Sequence, residues 1–244
     1  MENFDTIPVP VINDIVLQDR ELKNYVEYIL GKTNVQKSDL VQIKHLVVSG
    51  RKIDGQINII NFEELELFPN LESIDFFSVS ISEENNLKFK RVKKISYISC
   101  EIENFNYLEN LEVLSIKNSS IEDANSLRIL SGIQELELDS VKGIENFEFL
   151  EKYPNLKRLK IKYMENFQLS DISFNSAIEF LSFEGIEEIP WKDLVNFKNL
   201  KTIVLTEKEA EKNNDAIEIL KARGIQVIYN DIYYNVGEEY DQGI

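Results

Sequence analysis

Apolar residues follow one short template along most of the chain. In the segment NLEVLSIKNSSI (110–121), Leu111 is followed by Leu114 three positions later and by Ile116 two positions after that. Leu114 and Ile116 flank Ser115, as in a strand that buries one face, and the alternation then ends. A strand this short cannot bury its apolar face alone, so the pattern predicts further strands of the same kind beside it.

The template recurs along the sequence at a near-constant period. It occurs at Ile43-Leu46-Val48, Leu71-Ile74-Phe76, Val92-Ile95-Tyr97, Leu111-Leu114-Ile116, Ile133-Leu136-Leu138, Leu156-Leu159-Ile161, Ile178-Leu181-Phe183 and Leu200-Ile203-Leu205. Successive matches start 28, 21, 19, 22, 23, 22 and 22 residues apart. A period of about 20–29 residues with this template is typical of leucine-rich repeats.

The segments between the predicted strands carry an apolar residue at every third position. In IENFEFLEKYPNL (144–156) these residues are Ile144, Phe147, Leu150, Tyr153 and Leu156. A spacing of three keeps one face of a 3₁₀ turn or short helix pointing inward. The predicted fold is therefore an α/β leucine-rich repeat solenoid, with a curved parallel β-sheet and short helical or 3₁₀ returns.

Amphipathic segments at both ends of the array predict helical caps. In residues 19–31, Asp19 is the expected N-cap and Gly31 the expected helix end. The apolar residues at helical spacing there are Leu22, Tyr25, Val26, Ile29 and Leu30. Residues 213–224 predict a second helix and 225–230 a last strand. Caps are expected because an open solenoid end would expose apolar core and an unpaired strand edge.

These elements predict a single structural domain with three parts. The parts are an N-terminal helical cap (1–42), about eight leucine-rich repeats (43–206), and a C-terminal cap helix with a last strand and an acidic tail (207–244).

The cap and its join to the first repeat, VQKSDLVQIKHLVVSGRKI (35–53), resemble those of bacterial internalin-type leucine-rich repeat proteins. The resemblance covers about residues 11–230, and it implies the fold more strongly than a function. Internalins usually keep an asparagine at the ninth repeat position, where the side chain bonds to backbone along the solenoid. That position holds Cys100, Ser119, Val141, Met164 and Ile186 here. The secretion signal and wall anchor of the family are also not visible.

The net charge of the chain indicates which classes of partner to expect. The chain has 27 basic and 43 acidic residues and a formal net charge of -16. Such a surface repels nucleic acid and anionic lipid, so nucleic-acid binding is not expected. Membrane insertion is not expected either, because no stretch approaches the roughly 18 apolar residues needed to span a bilayer. The excess acid either favours a basic protein partner or serves solubility. A single cysteine and no visible signal peptide predict a cytoplasmic protein, or a secreted or surface protein if the chain is a trimmed one.

Residues able to carry catalysis or bind a cofactor are few. The only histidine, His45, and the only cysteine, Cys100, fall two repeats apart, roughly 9–10 Å, which is too far for a catalytic dyad. No group of metal ligands and no glycine-rich nucleotide motif is present in the sequence. We therefore predict no catalytic residue, no cofactor, no metal site and no enzymatic activity.

Two neighbouring predicted strands carry opposite charges in register. Glu135, Glu137 and Asp139 alternate on one face, and Arg158, Lys160 and Lys162 occupy the same positions on the next strand. Neighbouring strands lie about 4.8 Å apart, so three cross-strand ion pairs are expected. The alternatives are a polar binding stripe or a hydrolase that uses the carboxylates as acid and base.

The concave face of the predicted sheet is the expected binding surface for a partner protein. Phe77 and Ile98 share a row on adjacent strands, and they are bordered by Asp75, Lys94 and Lys117. Exposed apolar pairs of this kind often form interface centres, although a loop or the cap could cover them. With these five residues, the predicted site comprises Glu135, Glu137, Asp139, Arg158, Lys160 and Lys162. The partner is unidentified, and an acidic inhibitor or immunity-type protein that neutralises a basic toxin or nuclease is the alternative.

Overall fold

A computed structural model describes residues 17–230 of the 244-residue chain, except for 54–55, 59–61, 83–88, 107, 109, 165, 173–176, 187–193, 195–196 and 212. The predicted acidic tail from 231 onwards and the first part of the predicted N-terminal cap lie outside the described residues. No helix in the described part has the length and apolar character needed to cross a membrane.

In the described part of the chain, nine strands form one parallel sheet in chain order, as the repeats predict. They are β1 (His45–Ser49), β4 (Ser73–Phe77), β6 (Lys94–Ile98), β8 (Val113–Lys117), β10 (Glu135–Asp139), β11 (Arg158–Lys162), β12 (Phe180–Glu184), β13 (Thr202–Leu205) and β14 (Gln226–Tyr229). The shorter strands are β2 (Arg51–Ile53), β3 (Gln56–Asn58), β5 (Ser80–Ile81), β7 (Glu101–Ile102) and β9 (Ser120–Ile121). The leucine-rich repeat solenoid is therefore confirmed.

The core consists of the inward-facing side chains of the sheet and of the returns behind it. The two alternating apolar positions of each of the eight predicted strands are buried, from Leu46 and Val48 in β1 to Ile203 and Leu205 in β13. The returns include 3₁₀ helices at Phe62–Leu67, Ala124–Ile129, Glu148–Lys152 and Leu169–Ile172. Each repeat thus shares its core with its neighbours, which is how a solenoid buries apolar surface.

The first repeat is longer than the others because it contains a hairpin. β2 and β3 pair antiparallel, outside the main sheet. β5, β7 and β9 form a separate three-stranded parallel sheet just after the main strands. The periodicity did not predict either feature.

A left-handed residue ends each of five consecutive strands of the main sheet, from β4 to β11. These residues, with their φ angles, are Ser78 (52°), Ser99 (57°), Asn118 (48°), Ser140 (53°) and Tyr163 (50°). Each donates its N–H to the carbonyl of the last residue of the next strand, at 2.8–3.0 Å. The turn is therefore repeated in register, and small polar residues tolerate its conformation best.

The N-terminal cap helix α1 (Arg20–Leu30) begins and ends where its sequence predicts. Asp19 accepts a hydrogen bond from the Leu22 N–H at 2.9 Å, and Gly31 has a φ of 60°. The carboxylate of Glu64, in the first 3₁₀ return, accepts the N–H groups of Gln18 at 2.8 Å and of Asp19 at 3.1 Å, which joins the cap to the repeats. Of the apolar residues at helical spacing, Leu22 and Val26 are buried, whereas Ile29 is 41% exposed.

The described residues of the C-terminal cap include the helices α2 (Glu207–Glu211) and α3 (Asn214–Ala222). α3 buries Ile217 and Leu220, and Gly224 follows it with a φ of 79°. The chain then enters β14, the last strand of the sheet, as predicted.

At two of the five ninth repeat positions, another side chain fills the role of the asparagine that internalins keep there. The hydroxyl of Ser119 accepts the N–H of Cys100 at 2.9 Å, and the sulfur of Met164 accepts the N–H of Val141 at 3.3 Å. All of these side chains are buried. These two buried N–H groups are therefore satisfied by a side chain of the next repeat, without an asparagine.

Candidate protein-binding surface

The outward side chains of the nine main strands form one surface, which we call the sheet face. Its charged residues are five basic and five acidic: Lys94, Lys117, Arg158, Lys160, Lys162, and Asp75, Glu135, Glu137, Asp139, Glu184. The whole chain, by contrast, has a formal charge of -16. The acidic excess therefore lies outside these strands, and the sheet face itself is balanced in charge.

The apolar pair predicted for this face lies in register. Phe77 of β4 is directly opposite Ile98 of β6, and Ile98 is opposite Lys117 of β8. Both apolar side chains are half-buried, because each stands on the sheet between neighbours and keeps its outer part in solvent. Facing side chains on adjacent strands lie within contact range, so the pair forms one small apolar patch.

The predicted charge ladder forms with one change of partner. Arg158 lies 3.6 Å from Glu135, and Glu137 lies 3.0 Å from Lys117 and 4.0 Å from Lys160. The predicted third pair, Asp139 with Lys162, was wrong. Lys162 lies 3.2 Å from Glu184 on the following strand.

Asp139 keeps a local partner instead. It accepts a hydrogen bond from the adjacent Ser140 hydroxyl at 2.9 Å. Lys162 is flanked by a carboxylate on each side, on β10 and on β12, and it turns to the buried Glu184. The backbone register was predictable, but the choice between two neighbouring acids depends on their burial.

Glu137 is held as a carboxylate. Burial alone would raise its pKa, but the hydrogen bond from Lys117 and the charges of Lys160 and Lys117 outweigh burial and keep the pKa below its ordinary value. The Ser115 hydroxyl donates a further bond at 3.2 Å. A general acid needs a raised pKa, so this environment disfavours a hydrolase built on Glu137.

The ring of Phe180 is covered by a cation from the same face. The guanidinium of Arg158 lies 3.9 Å from the centre of that ring, on the adjacent strand. This distance is well within the range of a cation–π contact. One side of the Phe180 ring is therefore already covered by a side chain of the same protein.

His45 forms a polar cluster at the first edge of the sheet, which the sequence pattern did not predict. Its Nδ1 lies 2.8 Å from the Ser73 hydroxyl, and its Nε2 lies 3.5 Å from the Asp75 carboxylate. The imidazole is half-exposed on an open strand surface. Two residues of the neighbouring strand thus fix the orientation of the ring and keep Asp75 engaged beside Phe77.

A further charge ladder lies immediately before the strands and was also missed. Its ion pairs are Lys44 with Glu72 at 3.1 Å, Lys93 with Glu112 at 2.7 Å, and Lys201 with Glu179 at 2.6 Å. The Glu112 contact raises the pKa of Lys93, and the Lys201 contact lowers the pKa of Glu179. The alternation of lysine and glutamate before successive strands was visible in the sequence. Because these pairs are exposed, their contribution to stability is small and falls with salt.

Cys100 is buried in the core, whereas the His45 side chain is about half-exposed at the surface. Its side chain is 2% exposed, and its thiol donates to the carbonyls of Phe76 and Ile98, each at 3.4 Å. Burial raises the pKa of the thiol above its ordinary value. In the described part of the chain, no three histidine, cysteine, aspartate or glutamate side chains are grouped so that they could hold a metal ion.

We predict that the native protein reacts only slowly with a thiol reagent, because both burial and the raised pKa of Cys100 suppress the reactive thiolate. Absorbance-based thiol titration would show one equivalent of label only after denaturant is added. Stoichiometric labelling of the native protein within minutes would contradict the buried position.

Comparison with known proteins adds to these observations at the level of fold. No protein-family model matches the sequence, and no curated protein matches it closely enough to count as a relative. The internalin inlF from Listeria monocytogenes is 20% identical with a TM-score of 0.58, and the match covers 84% of this chain and 60% of that one. This chain thus spans less than two thirds of that internalin.

A second internalin matches over nearly its whole length. Internalin C2 (inlC2) from Listeria monocytogenes is 18% identical with a TM-score of 0.53, and the match covers 91% of this chain and 92% of that one. Both structures share the parallel solenoid with this chain at low sequence identity. The chain is therefore an internalin-like leucine-rich repeat protein in its fold.

Proposed function

We propose that this chain is a non-enzymatic recognition module that binds a partner protein on the sheet face, which is the concave side of a leucine-rich repeat solenoid. The observation that carries the proposal is the apolar pair of Phe77 and Ile98, side by side and half-buried on the sheet face. Such patches supply most of the binding energy when they lie at an interface centre.

The ionic network around the patch supports a role in orientation. Glu137 is shared by Lys117 and Lys160, and Arg158 is engaged by both Glu135 and Phe180. Charged side chains that are already fixed lose little further freedom when a partner docks. Their pattern of signs would set the register of the partner, while the apolar pair supplies affinity.

The first test requires a purified partner, obtained by affinity capture from native cytosol and identified by mass spectrometry. Phe77→Ala is then expected to weaken binding by about 2 kcal/mol or more, chiefly through faster dissociation. The matched control is Ile129→Ala, which truncates an apolar side chain that is 50% exposed in a 3₁₀ return away from the sheet face. Surface plasmon resonance would compare the two variants with the parent protein.

The affinities of the two variants show which face of the solenoid contacts the partner. The proposal is supported if Phe77→Ala alone loses affinity. It fails if Phe77→Ala binds like the parent while Ile129→Ala does not. A third variant, Lys160→Glu, places a second acid beside Glu137 and is expected to slow association and change its salt dependence.

An acidic inhibitor of a basic toxin or nuclease is the second candidate, favoured by the formal charge of -16. Because the sheet face is balanced in charge, the acidic excess that would attract a basic partner lies on the other surfaces. This candidate predicts association rates that fall steeply with salt and that Phe77→Ala leaves unchanged. The same binding experiments therefore distinguish the two functions.

A further inference from the structure

Tyr163 stands out among the residues that end the strands. The equivalent left-handed positions hold Ser78, Ser99, Asn118 and Ser140, all small and polar, whereas Tyr163 adopts a φ of 50° with an aromatic side chain. This conformation is unfavourable for a bulky residue, because its Cβ approaches the backbone. Strained residues persist where the surrounding structure enforces them, and they are concentrated at functional sites.

The ring of Tyr163 is held in place by the next repeat. A Cβ atom added at Gly185 would lie 2.3 Å from the Cδ1 atom of Tyr163, so the ring occupies the space left by the missing side chain. Gly185 is itself left-handed, with a φ of 65°. The two positions therefore fit each other, and any larger residue at 185 would displace the ring.

The hydroxyl of Tyr163 is anchored as well. It donates a hydrogen bond to the carboxylate of Glu184, which is only 4% exposed. The second carboxylate oxygen lies 3.2 Å from the Lys162 ammonium, in an ion pair without hydrogen-bond geometry. The tyrosine is thus fixed by backbone, ring and hydroxyl, and yet 42% of it remains exposed.

A rigid, exposed tyrosine is well suited to binding, because little conformational entropy remains to be lost. A phenol that donates to a carboxylate also has an electron-rich ring, which strengthens its attraction for a cation. The chain already shows this type of contact between Arg158 and Phe180. At longer range, the formal charge of -16 attracts cationic groups to the protein as a whole, while the sheet face itself is balanced in charge.

We infer that Tyr163 is a docking point for an arginine side chain of the partner protein, at the edge of the sheet face where β11 ends. This inference rests on the proposed recognition function and specifies part of its partner. Tyr163 lies four strand spacings from Phe77, roughly 19 Å away, so the two residues would contact different parts of the same partner surface.

The experiment uses the full chain labelled with 3-fluorotyrosine and followed by fluorine NMR. The Tyr163 and Tyr28 resonances are assigned from their loss in the variants Tyr163→Asn and Tyr28→Asn. Tyr28 is the control because it is 83% exposed on α1, away from the sheet face. The probes are N-acetyl-arginine amide and its neutral analogue, N-acetyl-citrulline amide. Both variants are expected to fold, which a cooperative unfolding transition would verify. Asn118 shows that asparagine tolerates the conformation of position 163, and Tyr28 is an exposed residue.

The shift of the Tyr163 resonance per millimolar arginine probe is expected to be about threefold or more larger than with the citrulline probe, and larger than the Tyr28 shift. Equal responses to the two probes, or equal responses of the two tyrosines, would overturn the inference. The titration needs no partner protein. Its failure removes the arginine contact and leaves recognition through Phe77 standing, whereas failure of the Phe77 test removes the recognition function itself.

Discussion

Replacing Leu136 by alanine is expected to lower the free energy of unfolding by about 2–5 kcal/mol. Leu136 lies in β10, near the middle of the sheet, opposite Leu114 on one side and Leu159 on the other. It is 2% exposed, and both of its neighbours are fully buried. The repeats on either side hold the cavity open, so the core cannot relax to fill it.

Urea denaturation followed by circular dichroism measures this loss. The control is Ile129→Ala, where a residue that is 50% exposed should cost under about 1 kcal/mol. A loss below about 1 kcal/mol for Leu136→Ala would mean that the side chain is not in the shared core, and the register of the whole array would then be wrong.

Gly143→Ala is expected to be at least as damaging, for a reason that lies in the backbone. A Cβ atom at this position would lie 1.9 Å from the carbonyl oxygen of Ile121, and the φ of Gly143 is 90°. The Ile121 segment is itself held beside Gly143, because the Ile121 N–H donates to the Lys142 carbonyl at 3.0 Å. The Gly143 and Ile121 segments cannot separate without breaking this bond, so we expect a loss above about 2 kcal/mol or failure to fold.

Gly31→Ala is the matched control for this prediction. Gly31 also has a positive φ, 60°, but no atom lies within 4 Å of an added Cβ. Its replacement should therefore cost only the conformational penalty, about 1–2 kcal/mol. Equal midpoints of thermal unfolding for the two variants would show that the close approach at Gly143 is not present in solution.

The strands and their inward residues could be predicted because two periods agree. Alternation over two residues identifies the buried face, as at Leu114 and Ile116, and the spacing of about 22 residues identifies the neighbouring strand. An error of one residue in register would expose every one of these side chains, so the pattern permits only one solution. The cap helix was predictable for a similar reason, since Asp19 and Gly31 mark its ends.

Side-chain partners could be predicted only in part. The sequence places Lys162 between Asp139 and Glu184, and its choice of Glu184 follows from burial that no periodicity reveals. The replacement of an asparagine by Ser119 or Met164 likewise depends on where a hydroxyl or sulfur lies relative to one N–H group. The choice of such partners depends on the exact positions of single atoms, whereas a sequence pattern predicts only the strand and the face on which a residue lies.

The left-handed turns were predictable and were missed. A serine or asparagine follows four strands in succession, at Ser78, Ser99, Asn118 and Ser140, and such residues favour this conformation. Tyr163 occupies the corresponding position after the next strand and is the exception to this series of small polar residues. Its ring position against Gly185 could not be foreseen, because it depends on the absence of a side chain one repeat away.

The location of the partner on the solenoid can be measured most directly by carbene footprinting of the purified complex. If the partner binds the sheet face, labelling of Phe77 and Ile98 falls on binding, while labelling of Ile129 and Tyr28, exposed on other surfaces, stays unchanged. Protection of Ile129 or Tyr28 with unaltered labelling of Phe77 and Ile98 would contradict recognition through the sheet face.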